Sequence, residues 1–234
     1  MQSVPIKQTQ AQVQINSFIR SVYNWMAIGL GLTGFVAFYV AHSPYLANLI
    51  FGNKLIFFGL IIGELALVFY LSARVHKMSA SKATSLFVFY SALNGATLSI
   101  IFLAYTSSSI ASTFFICAGT FVVCSIYGMV TKRDLTSIGQ FLFMGFIGIF
   151  IASIVNLFIG SHGMQMIISY IGVIIFVGLT AYDTQKLKAM SLSQPVGIDA
   201  ATIRKGSIMG ALTLYLDFIL MFQYLLFIFG GSRD

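Results

Sequence analysis

Residues 206–229 read GSIMGALTLYLDFILMFQYLLFIF, a run of 24 residues whose one charged side chain is Asp217. At 1.5 Å per residue, a helix of that length covers about 36 Å, enough to cross a hydrocarbon core of about 30 Å. Water does not reach backbone amides there, so the segment must satisfy its own N–H and C=O groups, which forces helix. Six earlier stretches have the same character: Val22–Ala41, Leu55–Ala73, Ala83–Tyr105, Ile110–Val130, Ile138–Ile159 and Met164–Asp183. The expected fold class is an all-α membrane protein with seven transmembrane helices.

The composition agrees. Of 234 residues, 58% are apolar and only 8% are charged, against about 25% charged in an ordinary soluble domain. A soluble enzyme and a disordered chain are both excluded. A β-barrel is disfavoured because the apolar runs are continuous and do not alternate. The net charge of +7 does not mark a nucleic-acid binder, because the basic residues sit in short clusters between apolar runs. Eleven of the 13 basic residues fall on one side of the expected topology: Lys7, Arg20, Arg74, Lys77, Lys82, Lys132, Arg133, Lys186, Lys188, Arg204 and Lys205. Lys54 and Arg233 fall on the other. That bias places the N-terminus in the cytoplasm.

The chain then divides into a polar cytoplasmic tail (residues 1–20), a membrane domain (21–230) and a short C-terminal tail (231–234). The first segment lacks the compact apolar core of a cleavable signal peptide. The longest connection, Thr184–Lys205, contains Pro195 and Gly197 and is expected to be a flexible cytoplasmic loop. Only Thr106–Ser109 separate the third and fourth spans. Two cysteines, Cys117 and Cys124, cannot build a disulfide framework, and with no nearby histidine they do not suggest a metal site.

Three of the six acids, Glu64, Asp183 and Asp217, lie within or at the end of apolar spans. An ionised carboxylate near the bilayer centre costs several kcal/mol or more, so such a group is kept neutral, paired or wet. Helix rise puts Glu64 about 15 Å from Arg74, Asp217 about 18 Å from Lys205, and Asp183 only about 8 Å from Lys188. Spacing alone therefore leaves contact between Asp183 and Asp217 open. It would need tilt, a later start of the seventh span or a longer sixth helix. Gly206, Gly210, Thr213 and Asp217 share one helix face, as do Gly172, Phe176, Thr180 and Asp183. Glu64 has Leu60, Ile61, Leu67 and Val68 on its own face and is expected to stay neutral without a partner. Two carboxyls facing each other would share one proton and so form a pH sensor. Their oxygens also suit a hard cation such as Ca²⁺. The plainer alternative is that each acid only hydrogen-bonds a neighbouring helix.

Other polar positions have ordinary readings. Asn94 and Asn156 are interhelical hydrogen-bond glue, and Ser91, Gly95 and Ser99 form a close-packing face. His42, His76 and His162 fall at span ends, and Tyr23 and Trp25 fit an aromatic belt.

The segments Gly178-Leu-Thr-Ala-Tyr-Asp183-Thr-Gln-Lys186 and Ala211-Leu-Thr-Leu-Tyr-Leu-Asp217-Phe-Ile resemble the two signature stretches of the Bax inhibitor family, whose members carry the transmembrane Bax inhibitor motif. The likeness covers residues 20–230 in span order and loop character, and the short tails look like bacterial members. The resemblance implies a seven-helix bundle with the last helix central. It implies that Asp183 and Asp217 form the family's di-aspartyl pair and that the protein is a pH-sensitive calcium leak. Glu64 is similar to an acid on the second helix of some members. Arg74 lies near the place of a latch to the sixth-span aspartate. The 33 residues between the two aspartates make a longer connection than in some bacterial members.

The expected function is thus a passive cation pathway in the bacterial inner membrane. Protonation of Asp183 and Asp217 would gate it, with Glu64 in the pathway and Arg74 as a latch. Calcium is the transported ion, and Asp183 and Asp217 are its candidate ligands. No resident cofactor, catalytic residue or nucleic-acid partner is expected, and the lipid bilayer is the other partner. A proton-coupled cation exchanger and a non-catalytic regulator that binds other membrane proteins compete with this reading. An intramembrane aspartyl protease fits less well. Tyr182-Asp183 suits it, but Asp217 follows Leu-Tyr-Leu where that class has Gly-x-Gly, and no Pro-Ala-Leu follows.

Overall fold

The structure, a computed structural model, describes residues 3–193 and 199–231, with side chains from Asn16 onward. Among the described residues, seven helices are long and apolar enough to cross a membrane: Asn16–Ala41, Lys54–Lys77, Ala80–Ala104, Ser107–Val130, Thr136–Ile159, His162–Leu192 and Ala200–Phe229. Each overlaps one of the seven expected spans.

Helix α1 (Ser3–Ala41) buries Phe18, Val22, Met26, Thr33, Ala37 and Val40, a single face at steps of three, four and seven. Residues 3–20, expected as a polar tail, thus continue into the first helix. Helix α2 (Pro44–Phe51) starts on a proline, whose missing N–H is harmless in the first turn. Asn53 caps α3 (Lys54–Arg74) by accepting from the Leu55 N–H at 3.0 Å. A 3₁₀ turn, Val75–Lys77, follows. Ser79 caps α4 (Ala80–Leu98) in the same way as Asn53. The third span is broken at Ser99, whose hydroxyl bonds the Ala96 carbonyl, and it resumes as α5 (Ile100–Ala104). Thr106 caps α6 (Ser107–Val130), leaving only Tyr105 and Thr106 between the third and fourth spans. Helix α7 (Thr136–Ile159) ends on Gly160 at φ +67°, a left-handed terminus that glycine adopts without a steric cost.

The largest departure from the sequence reading lies between the last two spans. Helix α8 (His162–Leu192) does not stop at Asp183 but continues for nine more residues, and α9 (Ala200–Phe229) begins before Lys205. Most of the expected Thr184–Lys205 loop is therefore helix. Thr184, Leu187 and Ser191 are buried along one face of the extension, which gives it a reason to persist. Pro195 and Gly197 lie outside the described residues.

The chain forms two compact units. One comprises the residues up to Ala104 together with Met190–Tyr215, and the other comprises Tyr105–Ala189 and the residues from Leu216 onward. In the first, α1 and α4 meet through small residues. Gly29 faces Phe87 and Ser91, and Gly95 admits the Thr33 main chain. In the second, α8 runs beside the C-terminal half of α9, with Gly172 beneath the Tyr224 ring and Phe176 stacked on that ring at 6.0 Å. The last span is the most enclosed, 56% of its apolar window being buried, against 6% for the second span. An acid on α9 is therefore far more shielded than one on α3.

Candidate functional site

Asp183 of α8 and Asp217 of α9 lie within hydrogen-bonding reach of each other in the second unit. Asp217 is 4% exposed, and its Oδ2 atom has no hydrogen-bond partner among the described residues. Asp183 is half-buried, and Lys186, one turn further along α8, attracts its carboxylate. The next residue, Phe218, wedges edge-on between Phe114 and Phe121 of α6, at 5.5 and 5.6 Å. Its carbonyl accepts from the Cys117 thiol at 3.6 Å. These contacts fix the rotation of α9 and hold Asp217 against α8. On the expected α9 stripe, Gly210 and Asp217 are buried, while Gly206 and Thr213 are half-buried.

The arrangement limits the chemistry. Ca²⁺ takes six to eight oxygens, whereas two carboxyls supply at most four. Among the described residues no group of three or more His, Cys, Asp or Glu converges. Such a site is suited to exchanging a proton or to a passing, still partly hydrated cation. It is poorly suited to tight storage of a metal.

Glu64 and Arg74 lie in the first unit. Glu64 takes the plainer alternative, hydrogen-bonding a neighbouring helix. Oε1 accepts from the Thr97 hydroxyl at 2.8 Å, and Oε2 accepts from the Asn94 amide at 3.2 Å. The reason is tertiary: α4 turns its Asn94 and Thr97 side chains onto α3. Asn94 Oδ1 in turn accepts from the Tyr215 hydroxyl at 3.0 Å, and that hydroxyl lies 2.6 Å from Thr33 Oγ1. Thr33 donates to the Ser91 carbonyl at 2.8 Å. Asn94 thus does the interhelical bonding expected of it. Asn156 does likewise, donating to Gln165 on α8 at 3.3 Å. Arg74 is exposed, with its guanidinium 6.0 Å from the centre of the Tyr70 ring.

Residues 15–234 match the family model described as Inhibitor of apoptosis-promoting Bax1. The chain belongs to the Bax inhibitor family. It is 53% identical over 224 residues to Inner membrane protein YbhL of Escherichia coli strain K12, covering 96% of this chain and 95% of the relative. A Deinococcus radiodurans protein is 43% identical over 234 residues, covering 100% of this chain and 98% of the relative. An uncharacterized membrane protein of Streptococcus pyogenes serotype M1 is 40% identical over 229 residues, covering 96% of each.

In this Bax inhibitor family member a clamp missed in the sequence reading holds the Asp183 end of α8. Gly128 of α6 lies against the Ala181 carbonyl, and Gly139 of α7 lies against the Tyr182 ring. Gln185 accepts from the Leu135 N–H at 2.9 Å and donates to the Arg133 carbonyl at 2.7 Å. Lys188 donates to the Met129 carbonyl at 2.5 Å. The two glycines were visible as small residues, but nothing local to them indicates what they face. Gln185 and Lys188 fell in the stretch assigned to a loop, where a polar side chain carries no signal.

Proposed function

We propose that this family member is a passive cation pathway of the bacterial inner membrane, conducting Ca²⁺ and gated by protonation of Asp183 and Asp217. The observation that carries the reading is the meeting of these two carboxyls on adjacent helices, with Asp217 almost fully enclosed. Two such groups in a dry site repel when both are ionised and attract when they share a proton. Proton binding therefore alters both the local charge and the force between α8 and α9. Seven apolar helices and the name of the Escherichia coli relative, Inner membrane protein YbhL, support the location. Eleven of 13 basic residues on one side support a cytoplasmic N-terminus. In the same proposal the last helix is central, Glu64 lines the pathway, Arg74 latches toward Asp183, and the protein is not an enzyme.

The test is Ca²⁺ flux into proteoliposomes across pH, for the wild type and for Asp183→Asn/Asp217→Asn. The expected result is loss of the pH response in the double variant. Unchanged flux and pH response would end the proposal. Flux that requires a proton gradient would convert the reading to a proton-coupled exchanger.

A further inference from the structure

We infer that the cavity between the α6–α7 connection and α8 is a binding site for a phosphate group, of the kind carried by an anionic phospholipid headgroup. The cavity has a volume of about 320 Å³, and Lys132, Arg133, Asp134, Thr136, Tyr182 and Lys186 line it together with Gln185 and Ala189. Its volume is that of roughly ten waters, and it meets three cations with one acid.

That acid is already engaged, because Asp134 Oδ1 accepts from the Thr136 N–H at 2.9 Å. The Lys186 ammonium sits 5.9 Å from the centre of the Tyr182 ring, at the cavity wall. Three other cations near span ends are tied elsewhere. Lys188 bonds Met129, Arg204 bonds Thr84 and lies over Trp25, and Lys205 bonds His76. The frame is also fixed in advance, since Gln185 holds both the Arg133 carbonyl and the Leu135 N–H. A fixed main chain lowers the ordering cost of bringing the side chains it carries to an anion. The site lies where α6 ends and α7 begins, at the boundary of two spans. Basic pockets in such positions take lipid headgroups. Lys186 also attracts Asp183, so an anion that neutralises Lys186 would act on the aspartate pair. This consequence rests on the proposed function, whereas the binding itself does not.

The test is a binding measurement on the full chain, independent of flux. The preference of the detergent-solubilised protein for phosphatidylglycerol-containing over pure phosphatidylcholine mixed micelles is compared between two variants that each remove two charges. Lys132→Gln/Lys186→Gln should lose about tenfold or more of this preference, and Lys77→Gln/Lys82→Gln, outside the cavity, several-fold less. Lys132→Arg/Lys186→Arg should retain it. Equal losses in both glutamine pairs, or no loss in the first, would overturn the site. A second arm adds inorganic phosphate to the protein in phosphatidylcholine alone and follows hydrogen exchange of residues 131–139. Protection by phosphate that is absent in Lys132→Gln/Lys186→Gln assigns a free phosphate. Protection only with phosphatidylglycerol assigns the lipid, and protection with neither overturns the inference.

Discussion

Gly128 of α6 lies directly against the main-chain carbonyl of Ala181 on α8, two residues before Asp183. A methyl group there would meet backbone, which cannot rotate aside as a side chain can. The position of the Asp183–Asp217 pair therefore depends on the absence of a side chain on a helix that carries neither acid.

Gly128→Ala is accordingly expected to destabilise the protein by about 1–3 kcal/mol. Gly119→Ala on the same helix, where nothing lies within 4 Å, should be neutral or raise stability by up to about 1 kcal/mol through its helix propensity. Cys117 and Cys124 are both buried, so a thiol-reactive dye reports unfolding directly. Equal melting temperatures for the two variants would show that the close approach is unimportant.

The Asp183–Asp217 contact predicts non-additivity. In a double-mutant cycle of Asp183→Asn and Asp217→Asn, the coupling should be about 0.5–3 kcal/mol. Additive effects on thermal stability would mean that the two groups do not sense each other.

Tyr215 joins Asn94 to Thr33. Tyr215→Phe keeps the ring against Phe87 and Tyr90 but removes the hydroxyl that donates to buried Asn94. The expected cost is about 1–3 kcal/mol. Tyr45→Phe, at a side chain 76% exposed, is the control and should change stability by less than about 0.5 kcal/mol.

Asp134 sits outside the spans and provides a pH prediction. Hydrogen bonds from Thr136 hold its carboxyl below the ordinary carboxylate range. A folded-state value depressed below the unfolded one contributes stability that is present above the unfolded value of about 3.9, and this is lost as pH falls through the folded value. Asp134→Ala should therefore be less stable near neutrality, and the gap from wild type should close on acidification below the usual carboxylate range. Denaturation midpoints that stay a constant distance apart down to strong acid would contradict this.

The spans were legible because hydrocarbon sets their length and apolar character residue by residue. The short Thr106–Ser109 connection was legible too, whereas the caps at Asn53 and Ser79 were not read from the sequence. Hydropathy failed where a helix leaves lipid without ending. Thr184–Leu192 is polar enough to resemble a loop, yet Gln185 and Lys188 hold it helical through contacts some 50 to 60 residues away in sequence. Helix rise alone leaves the Asp183–Asp217 contact open for the same reason. Lys188 and Lys205 served as membrane edges, but both lie inside helices. Glu64 shows why two readings of an acid stay open in sequence. Its own helix face is apolar, and its partners arrive from α4, 30 and 33 residues on, where no local window can see them.

Helix α8 has 31 residues, about 46 Å of unbroken rod at 1.5 Å each, longer than a hydrocarbon core of about 30 Å. Asp183 is set into the rod well before its tip. The same backbone that carries the acid also bears the Gln185 and Lys188 anchors, with no joint between them. Such a piece would work as a crank in the proposed gating: torque applied by the carboxyl would be delivered to Lys188, five residues and somewhat more than one helical turn further on.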